Sequence, residues 1–226
     1  MAMSVPDQIR IVVLASGGGS NFQVLVAHFR SASTAGDIVG LVASRTTAGV
    51  IERATRENIP CAVMSESATN SNDSETRFLT EIFDEWAPDL IVLAGYMRLI
   101  PPNIVKTQWG KIVNVHPALL PSFGGSGMYG AHVHEAVITS GARVSGVTVH
   151  FVDEVYDRGP TIAQWPVPVR ADDTPQSLAA RVLKVEHLLL PAVVEAFAEG
   201  RVTLGEGGRV VWTDEWFANE HFTMEG

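Results

Sequence analysis

The stretch Ile9-Arg10-Ile11-Val12-Val13-Leu14-Ala15-Ser16-Gly17-Gly18-Gly19-Ser20-Asn21 decides the architecture. Its first seven residues, IRIVVLA, are dominated by β-branched and aliphatic side chains, the pattern of a strand buried on both faces. The run breaks at a glycine turn, and residues 22–29 then carry apolar side chains at helical spacing. A buried strand feeding a helix through such a turn is the opening unit of a parallel α/β sheet.

The same unit recurs outward from it. Residues 37–44 read as a second strand, 49–58 as a second helix stopped by Pro60, and 60–64 as a third, short strand. A polar loop over 68–73 leads to a helix ending at Trp86, with Phe78, Leu79, Ile82 and Phe83 on one face and Pro88 as its stop. Residues 89–95 and 111–116 give a fourth and a fifth buried strand. The class expected is α/β: a Rossmann-like, mostly parallel sheet flanked by helices, with ligands at the carboxyl ends of the strands. The last third changes character. Residues 143–152 and 161–169 alternate like antiparallel strands, 174–200 form a long helix with a Thr-Pro start, and 201–212 a hairpin turning at Glu206-Gly207-Gly208. No repeat or linker interrupts the chain, so one domain over 1–213 is expected, followed by a tail over 214–226.

Bulk composition excludes several functions. The 226 residues carry a formal net charge of −9, so no long-range field favours nucleic acid, and an anionic ligand must be held by a local device. The lone cysteine, Cys61, permits neither an intrachain disulfide nor a cysteine-based zinc site and suits a reducing compartment. The N-terminal MAMSVPDQIR has no signal-peptide pattern and the apolar runs are of strand length, so a cytoplasmic protein with no membrane span is expected.

Three features carry chemistry. The glycine turn offers free backbone N–H groups at a helix start, which suits a phosphate; it fits neither the dinucleotide fingerprint nor a Walker loop, and a tight packing turn is the alternative. Asn114 and His116 lie two apart on a strand and share a face at its carboxyl end, a fixed donor and a titratable one converging as an oxyanion intermediate requires. A histidine that merely satisfies a loop carbonyl is the competing explanation. The loop Asp153-Glu154-Val155-Tyr156-Asp157-Arg158-Gly159-Pro160 could supply a carboxylate to orient His116, or be a turn whose aspartate bonds its own backbone.

The blocks SGGGSN, LAGYMRLI, NVHPALLPSF, SGVTVHFVDEVYDRGP and ARVLKVEH, in this order, resemble the phosphoribosylglycinamide (glycinamide ribonucleotide) formyltransferase family of folate-dependent enzymes, over roughly residues 9–212. The resemblance implies a formyltransferase fold and transfer of a formyl group from 10-formyltetrahydrofolate, without a metal, to the amine of a glycinamide ribonucleotide. It implies catalysis by Asn114, His116 and Asp157, with Asp157 keeping His116 cationic. Gly19, Ser20 and Asn21 would hold the ribose phosphate, and Glu186 the ribose hydroxyls. Met97, Arg98, Leu99 and Ile100, with Asn114, Asp153, Glu154, Val155, Tyr156 and Asp157, would line the folate pocket. His150, on the same face as Thr148, is either a support behind the site or a packed strand histidine. His28, His132, His134 and His221 are expected at the surface or on helices, and Trp212 and Trp216 over an edge or a partner subunit, a homodimer being compatible with the sequence.

Two departures stand out. Asn72 occupies a position where the family often has an arginine associated with the folate, and loop 124–130 is longer than the family's short turn. The rivals are a formyltetrahydrofolate deformylase, which normally carries an extra N-terminal domain, and a methionyl-tRNA formyltransferase, which needs a basic C-terminal RNA-binding domain. A non-catalytic nucleotide-binding module would have to treat Asn114, His116 and Asp157 as coincidence.

Overall fold

The β-branched run forms β1 (Ile9–Ala15), and Ile11 through Ala15 are wholly buried. The computed structural model describes residues 8–30, 34–65, 68 and 71–213, and the chain divides into two units, Met1–Ile104 and Val105–Gly226. In the first unit β1 lies between β2 (Gly36–Ala43) and β4 (Leu90–Leu93), with β3 (Cys61–Val63) beyond β2, and the three pairings are parallel. Each crossover carries a helix, as parallel pairing requires: α1 (Ser20–Phe29) follows β1, α2 (Val50–Glu57) follows β2, and α3 (Asn72–Trp86) follows β3. The apolar stripe of α1 buries Phe22, Leu25, Val26 and Phe29. Helix α3 starts where Ser71 Oγ accepts the Ser74 N–H at 3.1 Å.

A short helix, α4 (Pro102–Thr107), carries the chain from one unit to the next. The second unit holds β5 (Ile112–His116), α5 (Ala131–Ser140), β6 (Val144–Phe151), β7 (Thr161–Pro168), α6 (Pro175–Ala198) and a small hairpin of β8 (Val202–Leu204) with β9 (Val210–Trp212). β6 pairs antiparallel with both β5 and β7. Helix α6 opens with a capping box, in which Thr174 and Ser177 satisfy each other's backbone N–H groups, and with Pro175 in its first turn.

The α/β class, the parallel strands of the first two-thirds and the antiparallel pairing of the last third match the sequence expectation. The periodicity of residues 111–116 did not reveal that β5 pairs antiparallel with β6, and α4 was not foreseen. The expected tail 214–226, with Trp216 and His221, lies outside the described residues, as do residues 69 and 70 of the polar loop. No helix among the described residues is long and apolar enough to cross a membrane.

Candidate active site

In the first unit the glycine turn is built for close approach. Gly19 precedes α1 at φ +75°, and a Cβ there would stand 2.3 Å from Val50 Cγ2, so conformation and space both require glycine. No side chain caps the first turn of α1, whose N–H groups therefore remain suited to an anion. Around Gly17 and Gly18 an added Cβ would meet nothing within 4 Å. The loop is braced from outside: Arg45 Nε donates to the Ser16 carbonyl (2.8 Å), Arg53 Nε to the Gly18 carbonyl (2.7 Å), and the Val50 N–H to the Gly17 carbonyl (3.0 Å). Two guanidinium groups thus stand at this loop in a chain of net negative charge. Farther along the same unit, Met97 is 42% and Leu99 37% exposed, whereas Tyr96 and Ile100 are buried.

In the second unit the β5–β6 register assembles the candidate catalytic face. Asn114 stands opposite His150 and His116 opposite Thr148, while Thr148 stands opposite Gln164 on β7. Cross-strand partners share a face, so residues far apart in sequence become neighbours. His150 Nδ1 lies 2.7 Å from the Phe151 carbonyl, which can only accept; Nδ1 therefore carries the hydrogen. In the neutral ring Nε2 then accepts from the Asn114 amide N–H at 3.0 Å. These two contacts place His150 against Asn114 and orient the Asn114 amide. Thr148, wholly buried, donates to the Ala118 carbonyl (2.7 Å) and accepts from the Leu120 N–H (3.0 Å), while Gln164 Nε2 donates to Thr148 and to the Leu120 carbonyl. Together they pin the turn that follows His116.

His116 is 3% exposed, and its Nε2–H donates to the Phe123 carbonyl at 2.8 Å. The bond to a loop carbonyl expected of a structural histidine is present, and the other ring nitrogen, Nδ1, lies 3.6 Å from Asp157 Oδ2. Burial lowers the imidazole pKa below its ordinary value, and the Asp157 carboxylate and Phe123 carbonyl recover only part of that shift. Desolvation thus outweighs the carboxylate and favours the neutral ring, against the expectation that Asp157 keeps His116 cationic.

Asp157 sits at φ +56°, a conformation an aspartate tolerates better than most residues. Its Oδ2 accepts the Gly125 N–H at 2.9 Å, and Oδ1 lies 3.7 Å from His150 Nε2. Burial raises the carboxyl pKa, but its polar neighbours, among them the Gly125 N–H that donates to Oδ2, outweigh it and hold the group below its ordinary value. Gly159 allows the loop to close: a Cβ there would fall 1.8 Å from the Phe151 carbonyl oxygen. The long loop 124–130, expected only as a variant at the cleft mouth, thus supplies a backbone donor to Asp157. Phe123, Gly125 and Gln164 were missed because two act through backbone atoms and the third depends on strand pairing.

Elsewhere in the Asp153–Pro160 segment, Asp153 Oδ1 accepts the Val155 N–H (2.9 Å), the self-bonded turn weighed from sequence. Glu154 lies 3.6 Å from Lys106 Nζ, and Val155 and Tyr156 are exposed. Glu186 is buried on α6. His134 is on a helix as expected but is buried rather than superficial, its Nδ1 lacks a hydrogen-bond partner, and burial followed by the nearby His116 lowers its pKa. Cys61 is half-buried, and burial raises its thiol pKa.

Comparison with known proteins places this geometry. The family model described as formyl transferase matches residues 9–194. The chain is 43% identical over 204 residues to the chloroplastic phosphoribosylglycinamide formyltransferase of Arabidopsis thaliana, covering 90% of this chain and 70% of that one. It is 35% identical over 206 residues to the phosphoribosylglycinamide formyltransferase of Escherichia coli K12, covering 91% and 94%. Among solved structures, glycinamide ribonucleotide transformylase 1 from Symbiobacterium toebii superposes with a TM-score of 0.84 at 36% identity, covering 92% of this chain and 95% of that chain.

Proposed function

The chain belongs to the formyl transferase family, and on that premise we propose that it transfers the formyl group of 10-formyltetrahydrofolate to the glycinamide amine of 5′-phosphoribosylglycinamide, a step of purine synthesis. The observation that carries this proposal is the convergence of an oriented amide, a neutral imidazole and an ionised carboxylate on one face: Asn114 aligned by His150, and His116 beside Asp157. The names borne by its relatives support the same acceptor.

The reaction exchanges one proton for one acyl group. The amine attacks the formyl carbon, the carbonyl oxygen becomes an oxyanion, the bond to the folate nitrogen breaks, and that nitrogen gains the proton the amine loses. Asn114 donates a hydrogen bond to the oxyanion. His116, neutral at rest, accepts the amine proton at Nδ1 and returns it to the leaving nitrogen; Asp157 stabilises the imidazolium while it lasts. No covalent enzyme intermediate and no metal enter. Gly19, Ser20 and Asn21 bind the ribose phosphate and Glu186 the ribose hydroxyls. Met97, Arg98, Leu99 and Ile100, with the loop from Asp153 to Asp157, receive the folate. The enzyme acts in the cytoplasm on small molecules. A deformylase would replace the amine by water and has no use for a phosphate loop.

His116→Ala tests the assignment. Turnover should fall at least about a hundredfold through loss of the proton carrier, while calorimetric binding of the ribonucleotide stays near wild type. A folded variant with near-normal turnover would overturn it.

A further inference from the structure

We infer that Glu75 is a positioning residue for the folate pocket: a buried carboxylate that holds segment 96–100 so that Met97 and Leu99 stand out as an apolar ledge against the pterin. The inference rests on the folate assignment of residues 97–100 made above.

The segment needs holding because β4 ends at Leu93 and the backbone leaves the sheet at a turn with Gly95 at φ +72°. Two backbone bonds start the anchorage, from the Ala94 N–H to Leu14 O (2.9 Å) and from the Ser16 N–H to Gly95 O (3.1 Å). A third links the segment to the glycine turn, where the Met97 N–H donates to Ser16 Oγ at 2.9 Å. The side chains complete it. Tyr96 Oη donates to Glu75 Oε1 at 2.9 Å; Arg98 donates through Nε to both carboxylate oxygens (3.2 and 3.1 Å) and through Nη2 to Oε2 at 2.6 Å.

One carboxylate therefore grips two side chains spaced by two residues. Met97 between them and Leu99 beyond are exposed, while Tyr96 and Ile100 are buried. Glu75 itself is 2% exposed, a burial that a carboxylate tolerates only with a charged partner and satisfied oxygens. It lies in the first turn of α3, where the helix dipole favours negative charge. Burial and the Glu75 carboxylate both push the Tyr96 phenol pKa upward, so its hydroxyl stays a donor. Arg98 thus contributes to the ledge as a brace, its guanidinium committed to Glu75.

The test is a split between the two Michaelis constants, with tetrahydrofolate binding by calorimetry as a readout independent of turnover. Glu75→Gln removes the charge and keeps the volume. It should raise the KM for 10-formyltetrahydrofolate and the Kd for tetrahydrofolate by about tenfold, as expected for a misplaced contact surface, and leave the ribonucleotide KM within about twofold. Combined with Arg98→Met, its effect on the folate constants should be less than the product of the two single changes, since the two residues act on the ledge as one unit. Tyr96→Phe, which removes the hydroxyl that bonds Glu75 and also lies 3.4 Å from Met64 Sδ, should shift the folate constants in the same sense by about threefold, and it decides the matter if Glu75→Gln does not fold. Unchanged folate constants in a folded variant, or a rise confined to the ribonucleotide, would overturn the inference. If the wild-type protein binds no tetrahydrofolate, the folate assignment itself falls and takes this role with it.

Discussion

Replacing Asp157 by Asn isolates the carboxylate charge with little else disturbed. Asn tolerates the φ of +56° that this position demands, its amide oxygen can still accept the Gly125 N–H, and its volume is the same. What disappears is the attraction between a carboxylate and an imidazolium 3.6 Å away. At an effective dielectric of about 20 that attraction is about 4–5 kcal/mol for full charges, worth about three decades in rate. The ligand-free imidazole is neutral, so the attraction is gained only as His116 takes up its proton, and a transition state with half the charge developed retains about half of it. Asp157→Asn should therefore lower kcat by between about fiftyfold, for a half-developed charge, and about a thousandfold, for a full one, with both Michaelis constants changed by less than about threefold. Steady-state release of tetrahydrofolate, measured on a variant whose circular dichroism and melting match the parent, gives the number. A kcat within tenfold of wild type would mean that no imidazolium forms beside this carboxylate, and the proton route through His116 would be wrong.

Two further outcomes follow from the same structure. Gly18→Ala places a methyl group in open space and should raise the ribonucleotide KM about tenfold while sparing the folate KM; equal binding of ribonucleotide by calorimetry would remove the phosphate from this loop. Gly19→Val is a poorer probe, because its side chain collides with Val50 before any ligand arrives. On pH, burial depresses His116, His134 and His187 in the folded chain, so the unfolded chain takes up protons first as pH falls below about 6.5. Above that value they contribute nothing; below it the melting temperature should drop, well before Asp157, depressed below its own ordinary value, adds a further loss. A melting temperature that holds steady or rises between pH 7.5 and 5 would contradict the buried, neutral state of these rings.

The fold was legible where local pattern and tertiary environment agree. IRIVVLA, DLIVLAG and the Thr-Pro start of α6 announce their elements because a strand buried on both faces needs unbroken apolar side chains and a helix start needs its cap. The direction of β5 was not legible, since apolar periodicity is the same in parallel and antiparallel pairing, and the division at residues 104–105 falls inside a helix that no linker signals. At the site, Asn114 and His116 could be read together because alternation puts them on one face. Of their neighbours, His150 and Thr148 could be named only as candidates from the resemblance, whereas Gln164 meets them through strand register and Phe123 and Gly125 act through backbone atoms that any residue would supply. The charge state of His116 was misread for a physical reason. A neighbouring carboxylate is visible in a motif, whereas the desolvation that outweighs it is a property of the packed fold.

The fate of an isotopically labelled formyl group tests the central claim most directly. With 10-formyltetrahydrofolate carrying carbon-13 in its formyl group, the wild-type protein should deliver the label to the glycinamide amine, as a formamide, in one-to-one proportion to the tetrahydrofolate formed, and form almost no tetrahydrofolate when the ribonucleotide is omitted. Label recovered as formate, at a rate indifferent to the ribonucleotide, would contradict formyl transfer and make the protein a hydrolase of the same family.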